Sequence, residues 1–147
     1  MPRKPIAKKH RADAERAAEH YLHEHYGCTH TVRAVRTQWQ RQDLFASDVI
    51  GKDGGGDMVF AQVTCGRTEA VRSRRRKLEA IPWSTTDRVL VLQLVERENP
   101  ANARRKDFYF REHVFDHKYE LKAWYVEADA VPVPRRWFRA WKAEDAT

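Results

Sequence analysis

The succession of apolar patterns along this chain predicts an α/β fold, and three observations carry that expectation. A helix-period stripe comes first. Alternating, Val- and Thr-rich segments broken by a glycine turn follow. After an arginine-studded helical stretch comes RVLVLQLV, a nearly continuous apolar run. Such a run suits a central strand covered on both faces, as in sheets flanked by helices.

Taken in order, the first helix is expected from about Lys8 to Tyr26, with Gly27 as its stop. Ala14, Ala17, Ala18, Tyr21, Leu22 and His25 share one arc of the helical wheel, the expected buried stripe. Glu15 sits on the shoulder of that arc, placed to reach over a sheet edge, and Glu19 lies further toward solvent. Three strands follow: Thr29 to Thr37, Leu44 to Gly51 and Met58 to Cys65. The last two form a hairpin about the turn GKDGGGD. A second helix runs from about Thr68 to Ile81 and ends at Pro82. Arg88 to Val95 is the central strand, and ERENPANARRKD reads as a polar loop. Strand-like segments near Phe108 to Arg111 and Leu121 to Val126 precede a short basic-aromatic helix, PRRWFRAWK, over about 134–142. A loose basic arm is expected over about 1–8, where no apolar run of a signal peptide occurs.

With 147 residues the chain fits a single domain, 1–147. Hydrophobic residues make up 41% and charged residues 33%, enough for a core beneath a heavily charged surface. The net charge of +7 favours phosphate-bearing partners, mainly through affinity and on-rate. Cys28 and Cys65 form no CxxC pair and no disulfide framework, and as reduced thiols they suit an intracellular protein. No stretch approaches the roughly 18 apolar residues of a membrane span.

The segment from Asp43 to Lys77 carries the chemistry. A hairpin centred on Gly55 puts Asp48 opposite Gln62, on the face shared with Thr64. An acid, an amide oxygen and a hydroxyl then converge beside a cluster of positive charge, a place for a divalent metal and a phosphate. A single bulge would shift that register, with Asp43 as the reserve ligand. Asp53 and Asp57 flank the turn as turn formers. On the second helix Val71, Leu78 and Ile81 define an apolar arc that includes Arg74, with Lys77 on its shoulder. A charge facing the sheet is costly unless paired, so Arg74 either pairs with an acid such as Asp48 or meets a phosphate. Arg72, Arg75 and Arg76 form a solvated basic face that would hold a nucleic-acid backbone, as would Arg104, Arg105 and Lys106 on a mobile loop. Trp137, Phe138 and Trp141 interleave with Arg135, Arg136, Arg139 and Lys142. That stripe reads as terminal packing more than as a surface for stacking bases. His20, His23, His113 and His117 lack the scaffold of a zinc site.

The order helix, three strands, helix, strand, with FASDVIG on the second strand and AQVTCG on the third, resembles the PD-(D/E)XK nuclease superfamily. The archaeal-type Holliday junction resolvases are the branch it is most similar to, over roughly residues 8–95. The resemblance implies a restriction-endonuclease-like core (αβββαβ), a mixed central sheet flanked by helices. It assigns catalytic positions to Glu15 in KKHRADAER, to Asp48, and to Gln62 and Thr64 as a Q-x-T variant of E-x-K. Arg74 or Lys77 would supply the missing cation. Glu15, Asp48, Gln62 and the Val63 backbone would hold Mg²⁺, with Mn²⁺ as a substitute. The implied activity is a DNA endonuclease acting as a homodimer on branched DNA such as a four-way junction. The implied alternative is a decayed scaffold that binds DNA without cutting it.

Overall fold

A computed structural model describes residues 11–34, 45–65, 67–116, 124–127 and 130–139. The elements are α1 (Arg11–Tyr26), β1 (His30–Arg33), β2 (Val49–Lys52), β3 (Met58–Thr64), α2 (Thr68–Glu79), β4 (Arg88–Asn99), β5 (Asn102–Asp116), β6 (Trp124–Glu127) and β7 (Val131–Val133). A 3₁₀ turn at Arg135–Phe138 follows. The fold is α/β, as the sequence predicts. Among the described residues the strands make one seven-stranded sheet in the order β1-β2-β3-β4-β5-β6, with β7 also paired to β5. The sheet is mixed: β3 and β4 are parallel and joined through α2, and every other pairing is antiparallel.

α1 ends where Gly27 turns left-handed (φ 68°) and its N–H returns to the His23 carbonyl at 3.1 Å, a glycine cap that an L side chain would strain. The alanine stripe then lets α1 lie close on the sheet. Ala14, Ala17, Ala18, Tyr21 and Leu22 pack with Val49, Val59, Ala61, Val63, Leu90, Leu92, Leu94 and Phe110. On the other face Val71 and Leu78 of α2 pack with Phe60, Val89 and Val91. Strand residues of odd and even number in β3 therefore serve opposite layers, and all but Met58 are buried. RVLVLQLV is buried from Val89 to Leu94 for the same reason.

The glycine turn closes β2 onto β3 in the expected register, Val49↔Ala61 through Lys52↔Met58. Asp53 is a turn former in fact: its Oδ1 accepts the N–H groups of Gly55 and Asp57, each at 2.9 Å. Gly51 is required for a different reason. A Cβ there would meet Cys28 Sγ at 2.8 Å where β2 passes the end of α1.

Several expectations are corrected. The segment before β2 does not start as a strand at its upstream end: Phe45 and Ala46 form a turn with φ of 52° and 54°. ERENPANARRKD is no loop. β4 continues to Asn99 and β5 starts at Asn102, so Arg104, Arg105 and Lys106 lie on a strand. The hairpin tip is held by Asn99 Oδ1, which accepts the Ala101 N–H at 2.8 Å. Glu19 does not face solvent; it is buried and pairs with Arg33 Nε at 2.8 Å. The terminal basic-aromatic segment is a 3₁₀ turn over Arg135–Phe138, with Trp137 buried beside His20 of α1 at 6.1 Å. That contact is the packing reading of the stripe. The arm over about 1–8, the reserve ligand Asp43, His117, Trp141 and Lys142 lie outside the described residues.

Candidate functional site

Among the charged residues described, Asp48 alone is fully buried, with 0% exposure. It lies immediately before β2, not within it, and its N–H donates to the Ala61 carbonyl at 2.9 Å. Val49 faces the same Ala61, so two residues share one partner, the signature of a bulge. The kink turns the Asp48 side chain toward β3, where Oδ2 accepts the Val63 N–H at 2.8 Å. Val63 thus meets the site through its N–H.

Gln62 and Thr64 point to the α2 face of β3, alternate to Ala61 and Val63, and both are buried. Arg74 reaches down from α2 with a side-chain exposure of 15%. Its Nη1 donates to Gln62 Oε1 at 2.9 Å and stands 3.8 Å from Asp48 Oδ2. One guanidinium therefore binds an amide oxygen and neutralises a carboxylate at once. That meets the condition for burying Asp48, since a buried charge is costly unless paired and hydrogen-bonded. Of the two cations expected to serve here, Arg74 makes these contacts and Lys77 is exposed.

Glu15 is buried on the other face of the sheet, on α1. One turn further along the helix, Glu19 accepts from the Thr31 hydroxyl and from Arg33. One turn later again, His23 Nδ1 meets the Cys28 carbonyl at 3.0 Å, so α1 and the chain into β1 run antiparallel and Glu15 lies toward the Ala34 end of β1. Ala34 donates its N–H to the Asp48 carbonyl at 2.8 Å, so Glu15 and Asp48 share one end of the sheet. That end is the carboxyl end of the parallel strand β3, where open α/β sheets place their ligands.

The polar band runs further than the sequence reading took it. Thr64 pairs in register with Gln93 of β4, and Gln93 with Arg111 of β5. His113 Nε2 lies 3.1 Å from Gln93 Oε1. Gln93 was legible by the same signal as Gln62, a lone amide in an apolar strand. His113 was not, because its strand is polar along one face.

The basic residues divide. Arg72 and Arg76 are exposed on α2, whereas Arg75 is tied to Glu79 at 2.9 Å. Arg104, Arg105 and Lys106 are exposed on the β4–β5 hairpin, with Arg105 3.5 Å from Asp107 and Lys106 3.6 Å from Glu98. No match appears among family models, curated proteins or solved structures.

Among the described residues no group of three or more His, Cys, Asp or Glu side chains is gathered to hold a metal ion. The Asp48 carboxylate and the Gln62 amide oxygen are nonetheless donors of the type hard cations take. No helix among the described residues is long and apolar enough to cross a membrane.

Proposed function

We propose that this domain is a metal-dependent DNA endonuclease on a restriction-endonuclease-like scaffold. The observation that carries the reading is the buried Asp48, held by the Val63 N–H at 2.8 Å and set beside Gln62 and Arg74 at the carboxyl end of a parallel strand. Asp48 and Gln62 would hold Mg²⁺ or Mn²⁺, with Glu15 at the same end of the sheet. Such an ion, when bound, polarises a phosphate and acidifies a coordinated water.

The chain's own residues do the rest. Val63 fixes the carboxylate orientation through its N–H. Arg74, released from Asp48, is placed to bind a phosphate oxygen and to stabilise charge that builds on it. Arg72 and Arg76 extend the positive face along which a backbone would lie. The choice of a four-way junction as substrate, and of a homodimer making two symmetric cuts, rests on the resemblance to junction resolvases.

One observation favours a second reading, a DNA-binding module without hydrolysis. Arg74 already neutralises Asp48 and occupies the Gln62 oxygen, so the ligand pair carries no net charge while that contact stands. Cleavage of an immobile junction, beside a matched linear duplex, in Mg²⁺ and in Mn²⁺ separates the two. For the nuclease, Asp48→Asn keeps an acceptor for Val63 and lowers the rate by more than about 100-fold, beyond the 10- to 100-fold usual for outer-shell residues. Binding in that variant survives. Arg74→Ala lowers both the rate and the melting temperature, because it strips Asp48 of its counter-charge. Equal cutting of junction and duplex would make the protein a general nuclease. Salt-sensitive binding without cutting in either metal would establish the second reading, and neither binding nor cutting would end both.

A further inference from the structure

Three residues before Asp48, the chain does something that its composition does not require. Phe45 and Ala46 stand in succession in the left-handed region, with φ of 52° and 54°. Neither is a glycine, and each L residue held there costs roughly 1–2 kcal/mol. Such strain persists only where surrounding structure enforces it, and it gathers at ligand sites. Here it holds an aromatic side chain out in solvent: Phe45 is 66% exposed, the most exposed large hydrophobic residue described.

Phe45 nonetheless has a defined seat. Its ring meets Phe60 edge-on at 6.1 Å and 89°, and Phe60 in turn meets Trp83 at 4.8 Å. Ala46, Phe60 and Trp83 belong to the layer under α2, the same sheet face as Gln62 and Arg74. Phe60 is two residues before Gln62 on β3, so the aromatic row leads toward Asp48. Above that layer α2 presents the exposed cations Arg72, Arg76 and Lys77. The contact with Phe60 is T-shaped, and at 66% exposure most of the Phe45 ring stays open to solvent. Aromatic faces beside a track of cations are the combination that binds unpaired nucleotides, bases stacking while phosphates follow the charge.

We infer that Phe45 is a stacking platform for an unpaired base next to the phosphate that Arg74 would bind. The inference rests on the proposed function for the phosphate, and it deepens that reading by naming single-stranded DNA, at a branch or a frayed end, as the bound element. An intact duplex offers no free base face and gains nothing from Phe45.

The test uses the full chain in EDTA, so that cleavage does not intervene. Anisotropy gives the affinity for a labelled single strand and for the matched duplex, and 2-aminopurine in the single strand reports stacking. Phe45→Ala is expected to weaken single-strand binding by about 5- to 150-fold, the range for losing one base–aromatic stack. It should abolish 2-aminopurine quenching and shift duplex affinity by less than about 2-fold. Phe45→Trp should keep the affinity and show its own emission quenched by the single strand. Because Phe45 is exposed, Phe45→Ala should fold, and an unchanged melting temperature verifies it. Equal loss for both DNAs, or no loss for either, would overturn the platform while leaving the nuclease reading intact. Binding of neither DNA by the wild type would overturn the proposed function itself, and this inference with it.

Discussion

The two faces of the sheet are built from the same strands and do different work. On the α1 face a continuous apolar layer runs from Ala14 to Phe110, and the buried acid Glu112 beside it is engaged at both oxygens. Tyr21 and Tyr26 both donate their hydroxyls to the Glu112 carboxylate, one to each oxygen. On the α2 face the apolar layer is small, formed by Phe60, Val71, Leu78, Val89 and Val91. It gives way at one end to Asp48, Gln62, Thr64 and Gln93. Its buried acid Asp48 is met by the Val63 N–H at 2.8 Å and by a long cation at 3.8 Å, where Glu112 has two hydroxyls. Under the proposed function, stability rests on one face and ligand chemistry on the other. A carboxylate locked between two phenols has both oxygens taken up, whereas the counter-charge of Asp48 is a long arginine at 3.8 Å that a metal could displace.

The sharpest way to break that comparison is Glu112→Ala. It leaves two phenol hydroxyls in a packed layer without their acceptor, at about 1–3 kcal/mol for each buried group left unsatisfied. A loss on the order of 3 kcal/mol in urea unfolding is expected, with DNA binding by the folded fraction unchanged. Loss of binding at unchanged stability would place ligand chemistry on the α1 face too, and the division would fail.

How far the sequence discloses the two faces follows from the range of the signals. The β2–β3 register was legible because glycines pin the turn and the apolar alternation on both sides admits one pairing. Asp48, Gln62 and Arg74 were legible as polar intruders in apolar patterns, and their meeting followed from the register. The bulge at Asp48 has no composition of its own. The strain at Phe45 and Ala46 was hidden because neither residue favours positive φ. The Glu112 contacts escaped because 91 and 86 residues separate it from Tyr21 and Tyr26. The far end of the β4–β5 hairpin escaped for an opposite reason. It lies beyond the core and shows no apolar alternation, and side chains such as Arg97, 5.0 Å from the Tyr109 ring, meet only across the finished ladder.

A smaller effect sharpens the comparison through pH. Burial first, and then the hydrogen bond and charge of Glu112, raise the Tyr21 hydroxyl well above its ordinary value of 10.0. Tyr26 is raised likewise, by burial and then by the Glu112 charge. Burial, with a contribution from Asp53, pushes the Cys28 thiol from 9.0 up to about 11. All three protons are held more tightly in the folded state than in the unfolded one. Their stabilisation is complete below the ordinary values and drains as pH rises, because the unfolded chain then releases protons that the fold retains. The melting temperature should therefore fall from about pH 9 upward, first through Cys28 and then through the tyrosines. Tyr26→Phe should lower stability at neutral pH by about 1 kcal/mol and flatten the alkaline slope. An unaltered slope would mean that the α1 face is not what titrates.

The smallest effect has the opposite sign, and it tests whether the α2 face is strained for a purpose. Glycine adopts a φ of 54° without steric cost. Ala46→Gly therefore relieves the folded state of roughly 1–2 kcal/mol while adding about 0.4–1 kcal/mol of freedom to the unfolded chain. A net gain between zero and about 1.6 kcal/mol is expected in urea unfolding. The same exchange at Ala17, fully buried in α1 against the sheet, should cost about 1 kcal/mol or more, since helix propensity and a packed methyl are lost together. Opposite signs at two alanines would show that the α1 face is relaxed and that strain is concentrated beside Asp48. If relief at Ala46 also weakens single-strand binding, the strain serves to hold Phe45 where a base can reach it. A loss at Ala46 matching that at Ala17 would mean the turn is merely tolerated, and the aromatic row would have to be explained by packing alone.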